Sequence, residues 1–295
     1  MNTADRSIVR RESHFQAGDG TRLVRRSWHP ADRSGGRARC LVLVHGFGEH
    51  SGRYDEMACW FALRGFDVHA YDHRGHGLSA GRRNFVGRAR GFDEYVDDLQ
   101  TFLDTVRAEH PDALHVLIGH SMGGLVVARA LVQRAPAVDC AALSGAALGV
   151  SPSFSRARQW LARILAFLVP RLAIESGLPL DGLSRDPEVV RRYEADPLVD
   201  TRMTVGLAAG MLGAQRETAP LASRVAVPLL GLHGDADPIC PAADTVRFLE
   251  RVTTRGSACR TYPSLRHEIF NEPERETVWK DVLDFIEAAE RERTA

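Results

Sequence analysis

The sequence predicts an α/β fold: a mostly parallel central sheet flanked by helices, with a mostly helical cap inserted late in the chain. Short apolar runs alternate with amphipathic helical stretches, which is the pattern of parallel strands joined by crossover helices. Runs such as Leu41-Val42-Leu43-Val44 stay apolar without alternating, as strands covered on both faces must. The alternation stops after about residue 150, where Pro170, Pro179, Pro187 and Pro197 recur at loop-like intervals.

Taken in order, Gly18-Asp19-Gly20 lies between Ser13-His14-Phe15 and Leu23-Val24 and reads as a turn joining two antiparallel strands. Strands of the parallel sheet are expected at the short runs 40–44, 66–71, 115–118, 140–143, 227–232 and 260–262. Helical periodicity falls at 54–64, 92–106, 123–134, 242–252 and 274–290. In the last of these Val278, Val282, Phe285, Ile286 and Ala289 repeat at steps of three and four, giving one stripe that can cover the sheet. Ser151-Pro152-Ser153 opens the interruption, and a helix-like stretch with Trp160, Leu161, Ile164, Leu165, Phe167 and Leu168 follows. The expected division is a core of residues 1–149 and 221–295 and an inserted cap of residues 150–220.

A chain of 295 residues can bury a sizeable core. Hydrophobic residues make up 44% and charged residues 26%, and the formal net charge is zero, so no electrostatic footprint for nucleic acid is present. The first fifteen residues lack the apolar run of a secretory signal, and no stretch reaches about 18 uninterrupted apolar residues. A cytoplasmic protein is the expectation. Five widely spaced cysteines without a CxxC pair predict free thiols rather than a disulfide framework or a zinc site.

The chemistry concentrates at Gly119-His120-Ser121-Met122-Gly123, directly after one predicted strand and directly before a helix. Glycines on either side permit close packing while the serine takes a strained backbone conformation. Serine at a helix start is also a common cap, but this context favours a nucleophile, with the Met122 N–H as first oxyanion donor. His45-Gly46-Phe47-Gly48 sits at another strand's carboxyl end, where it is either an ordinary turn or the source of a second donor, the Phe47 N–H. A serine hydroxyl needs a base, and histidine suits neutral pH. His267 is chosen because it follows the last strand and satisfies the chain order Ser, Asp, His. Asp235 and Asp237 compete as its partner; Asp237 is preferred, with Asp235 bracing the loop, and His45 and His120 read as packing residues.

These residues resemble the α/β hydrolases, and within them the monoacylglycerol lipases and lysophospholipase-like esterases. The resemblance runs through His45-Gly46-Phe47-Gly48-Glu49-His50-Ser51-Gly52-Arg53-Tyr54, Asp72-His73-Arg74-Gly75-His76-Gly77-Leu78-Ser79, Gly119 to Gly124, Gly234 to Cys240 and His267-Glu268. It implies an α/β-hydrolase fold, a triad of Ser121, Asp237 and His267, and an oxyanion hole from the Phe47 and Met122 N–H groups. It also implies that Glu49 and Arg53 shape the alcohol-binding end and that the loop 72–77 is scaffolding. Pro238 stands where a basic residue is often found, and 150–220 gives no strong match. Cys240, near the expected triad aspartate, predicts sensitivity to thiol reagents.

The expected activity is hydrolysis of carboxylic esters of the monoacylglycerol or lysophospholipid type through an acyl-enzyme, without metal or organic cofactor. Short-chain carboxylesterase, thioesterase and proline-aminopeptidase-like readings share the triad, and a non-catalytic binding protein would need a damaged one. The apolar stretch 160–168 reads either as an acyl tunnel whose mouth meets a lipid surface, making the protein peripheral to a membrane, or as a helix packed on the core.

Overall fold

The computed structural model describes residues 7–32, 38–79, 91–150 and 155–294. It begins with an antiparallel hairpin, β1 (Ile8–Gln16) and β2 (Arg22–Pro30), turning at the predicted glycines. Then β3 (Arg39–Val44), α1 (Asp55–Ala62), β4 (Phe66–Tyr71), α2 (Asp93–Glu109), β5 (Leu114–His120), α3 (Met122–Gln133) and β6 (Cys140–Ser144) follow. An excursion from the sheet comprises α4 (Arg156–Leu168), β7 (Ala173–Glu175), α5 (Pro187–Ala195), β8 (Arg202–Thr204) and α6 (Val205–Thr218). The chain returns through β9 (Leu229–Gly234), α7 (Ala242–Leu249), β10 (Ala258–Tyr262) and α8 (Arg275–Thr294).

The main sheet has the order β1-β2-β4-β3-β5-β6-β9-β10. From β4 to β10 every pairing is parallel, and β2 joins β4 antiparallel. The non-alternating runs are explained by the two cores they separate. Val42 and Val44 point into a cluster with Val96, Leu99 and Phe102 of α2 and Leu125 and Val126 of α3, while Leu41 and Leu43 join Phe61 of α1 and the Val278, Val282 and Ile286 stripe of α8. Each CH₂ group so buried contributes about 0.8 kcal/mol, which favours covering both faces.

The excursion also contains a two-stranded antiparallel ribbon, β7 with β8, that sequence reading missed. Strands of three residues are too short to show a period. Pro187, read as a loop marker, instead stands at the first turn of α5, where Asp186 caps the helix by accepting from the Glu188 N–H at 2.9 Å. Ser151-Pro152-Ser153, the expected opening of the cap, lies outside the described residues. Among the described residues no helix is long and apolar enough to cross a membrane.

Candidate active site

Ser121 occupies the single residue between β5 and α3, with φ 52° and ψ −118°. A non-glycine residue with positive φ is strained and persists only where its surroundings over-determine it. Here the Ser121 N–H donates to the Ser144 carbonyl at 2.9 Å, and its own carbonyl accepts from Leu125 and Ala147. The flanking glycines allow the tightness: a Cβ on Gly119 would stand 2.5 Å from the Gly123 carbonyl oxygen, and one on Gly123 would collide with the Val44 carbonyl. The adjacent Met122 opens α3, where backbone N–H groups have no acceptor inside the helix.

His267 follows β10, and its Nδ1 lies 2.7 Å from Asp237 Oδ2. A carboxylate only accepts, so Nδ1 carries the proton and Nε2 is the lone-pair nitrogen. Asp237 Oδ1 accepts from the Ile239 and Cys240 N–H groups at 2.7 and 3.0 Å. Burial works to raise the Asp237 pKa, but His267, His233 and these N–H groups hold the carboxyl far below the usual carboxylate range. For His267 burial pulls downward, and the facing Asp237 carboxylate reverses it, giving a net upward shift. Asp235 does not enter this group; its Oδ1 accepts from the Ser264 N–H at 2.6 Å and braces the loop that carries the histidine.

The rings of His120 and His267 stand 4.8 Å apart. Burial, and then the facing His267, push the His120 pKa down to about 4, so it is neutral near pH 7. His45 Nε2 accepts from the His73 N–H at 2.9 Å, which occupies its lone pair. His120 is thus too weakly basic, and the His45 lone pair already engaged, for either to be the preferred base.

The loop around Phe47 is tied to a buried charge network. The Gly46 N–H donates to Glu49 Oε1 at 2.6 Å, and the Tyr54 hydroxyl donates to the same oxygen at 2.9 Å. Arg53 bonds Glu49 Oε2 at 2.8 Å and both oxygens of Glu268 at 2.6 and 2.8 Å, with its Cζ 4.7 Å from the Tyr193 ring centroid. Burial would raise the Glu268 pKa, but Arg53 holds it well below the usual value. From the excursion, the Asp200 N–H donates to the Gly48 carbonyl at 3.0 Å.

A cavity of about 150 Å³ brings these parts together. Ser121, His120, His267, Phe47, Glu49 and Glu268 line one part, and Leu178, Leu183, Met203, Met211 and Ile239 supply apolar wall. Cys240 also lines it. Arg53 faces instead a neighbouring polar groove with His50, Asp196 and Asn271. No described residue of α4 lines the cavity, which corrects the reading of 160–168 as a tunnel wall. Trp160, Leu161, Phe167 and Leu168 are 50–71% exposed, and α4 packs along α6. The Asp72–Ser79 turn is ion-paired as expected: Arg74 bonds both oxygens of Asp98, and Arg26 bonds Asp72. Tyr193 and His233 were not singled out in the sequence, and Glu268 was given no role there. Glu268 beside His267 was the one visible signal; Tyr193 comes from the stretch without a motif.

A mostly parallel sheet in this order, with helices on both faces and a serine elbow after a central strand, defines an α/β hydrolase. The chain belongs to the family described as serine aminopeptidase, S33, whose family model matches residues 36–274. It is 36% identical over 281 residues to a monoacylglycerol lipase of Mycolicibacterium smegmatis, covering 95% of this chain and 98% of that relative. It is 31% identical over 264 residues to the monoglyceride lipase of Mus musculus, covering 88% and 84%. With phospholipase YtpA of Bacillus subtilis it shares 30% identity over 249 residues, covering 84% and 94%. The crystal structure of the Paleococcus ferrophilus monoacylglycerol lipase superposes with a TM-score of 0.79 at 30% identity, covering 90% of this chain and 99% of that one.

Proposed function

We propose that the protein hydrolyses lipid carboxylic esters, with monoacylglycerols or lysophospholipids as substrates, through an acyl-enzyme on Ser121. One observation carries the reading: an imidazole oriented by a buried carboxylate at 2.7 Å shares an apolar-walled cavity with a serine held at positive φ. The names of the relatives support the substrate class.

In this reading His267 Nε2 takes the Ser121 proton as the oxygen attacks the ester carbonyl. The oxyanion is met by the Phe47 and Met122 N–H groups, and His267 returns the proton to the departing alcohol. Water, deprotonated by the same imidazole, then releases the acid. Asp237 stabilises the imidazolium. Glu49 holds the loop of the first donor through Gly46 and shapes the alcohol end, with Arg53 bracing its carboxylate from the neighbouring groove. Residues 150–220 act as the cap, their Leu178, Met203 and Met211 taking the acyl chain. The outward face of α4, with Trp160 and Phe167, makes transient contact with a lipid surface.

A fluorophosphonate probe should label wild type and spare Ser121→Ala. Rates should be higher on monoacylglycerols or lysophospholipids than on aminoacyl arylamides. Labelling of Ser121→Ala, or a preference for the amides, overturns the reading. Flotation with liposomes tests the surface contact, which fails if neither the free nor the acyl-inhibited enzyme floats.

A further inference from the structure

We propose that His233 is a positioning residue for this reaction: a second imidazole on the Asp237 carboxylate that holds its shared oxygen toward His267. The proposal rests on the reading of Asp237 as the orienting acid.

His233 belongs to β9, four residues before Asp237, and is fully buried. Its Nε2 lies 3.0 Å from Asp237 Oδ2 and 2.9 Å from the Cys240 carbonyl oxygen. Both partners only accept, so Nε2 carries the proton. Nδ1 is then the acceptor, and the buried Thr245 hydroxyl of α7 donates to it at 2.8 Å. Every polar atom of the ring is committed, which fixes tautomer and ring plane together.

Asp237 Oδ2 therefore accepts two imidazole N–H bonds, from His267 at 2.7 Å and from His233 at 3.0 Å. Oδ1 is held by two backbone N–H groups of the following turn. The carboxylate cannot turn about its own bond without breaking a donor on each oxygen. Its charge on Oδ2 is also divided, and the share drawn by His233 is withheld from His267. The other charged or titratable groups facing His267 are Glu268, Glu49 and His120. Those facing His233 are Asp237 and, through the turn around it, Cys240.

The test compares His233→Leu and His233→Gln in the full chain, measuring kcat and KM on a soluble ester from about pH 5 to about pH 9, with thermal unfolding beside them. Leucine removes the donor, so the charge on Oδ2 concentrates on His267. The acid limb of kcat should move to higher pH by roughly half a unit or more, with kcat down several-fold and KM within about two-fold. Glutamine offers an amide N–H and should return the limb toward wild type. A limb that stays in place or moves lower in a folded leucine variant overturns the proposal, because lost packing alone shifts stability and not the limb. Should leucine prevent folding, imidazole nitrogen NMR of the wild-type enzyme decides: His233 is expected with the proton on Nε2, and a proton on Nδ1 overturns the proposal. Asp237→Asn separates the two ideas. If it retains full activity the triad reading fails; if it is inactive while the His233→Leu limb is unmoved, only the role of His233 fails.

Discussion

Replacing Ser121 or His267 by alanine should each lower kcat by about a million-fold, and the double variant should lose little more, because the two act as one unit. Asp237→Asn should cost about ten-thousand-fold, by presenting the wrong partner to Nδ1. Single-turnover kinetics on a chromogenic ester would read all three. Arg53→Met leaves Glu49 and Glu268 buried without their cation and should cost about 3–5 kcal/mol in a urea titration. The thiol expectation needs revision at Cys240, whose pKa burial, and then Asp237, push well above the usual thiol value. Near neutral pH iodoacetamide should label the exposed Cys259 before Cys240, as mass spectrometry of timed samples would show. Ser121, Asp237 and His267 could be picked out as candidates because the elbow motif marks the serine and the fold sets the chain order of the other two. His233 and Tyr193 could not, since their meaning arises only when β9 and α5 approach the site in three dimensions.

The strands and helices of the core were legible to within a few residues, because two-sided burial writes apolar runs into the inner strands and stripes into the helices, while the largely exposed edge strands β1 and β10 were read from a turn and from their place in the alternation. The excursion between β6 and β9 was read only coarsely. Its elements are short, and α4 carries apolar side chains outward, so hydrophobicity there does not report burial. That exposed row of Trp160, Leu161, Phe167 and Leu168 is larger than scattered surface apolar residues would be. Changing Trp160 and Phe167 together to serine should lower hydrolysis of dispersed monoacylglycerol several-fold and leave a dissolved short-chain ester within about two-fold. Equal losses on both substrates would show that α4 acts through the cavity instead.

Among the described residues, burial lowers the pKa of several imidazoles. His76 and His120 are pushed down to about 4 from 6.5 by burial and then by a neighbouring histidine, and burial also holds His69 and His73 well below the usual value. Unfolded, these rings protonate near 6.5; folded, His76 and His120 do so only near 4. Between those values unfolding takes up protons, so stability should fall as pH drops through this window. The lowered carboxylates Glu268 and Asp237 add their own loss only below about 4.5. Thermal unfolding between pH 7 and about 4 should show a steadily falling midpoint, and a flat one would contradict the buried neutral assignment. The Asp200–Gly48 bond carries one last consequence. It fastens the segment before β8 to the peptide next to Phe47, so, in the proposed mechanism, a displacement of that segment would pull on the first donor to the developing negative charge, and the bond holds that donor's loop in place.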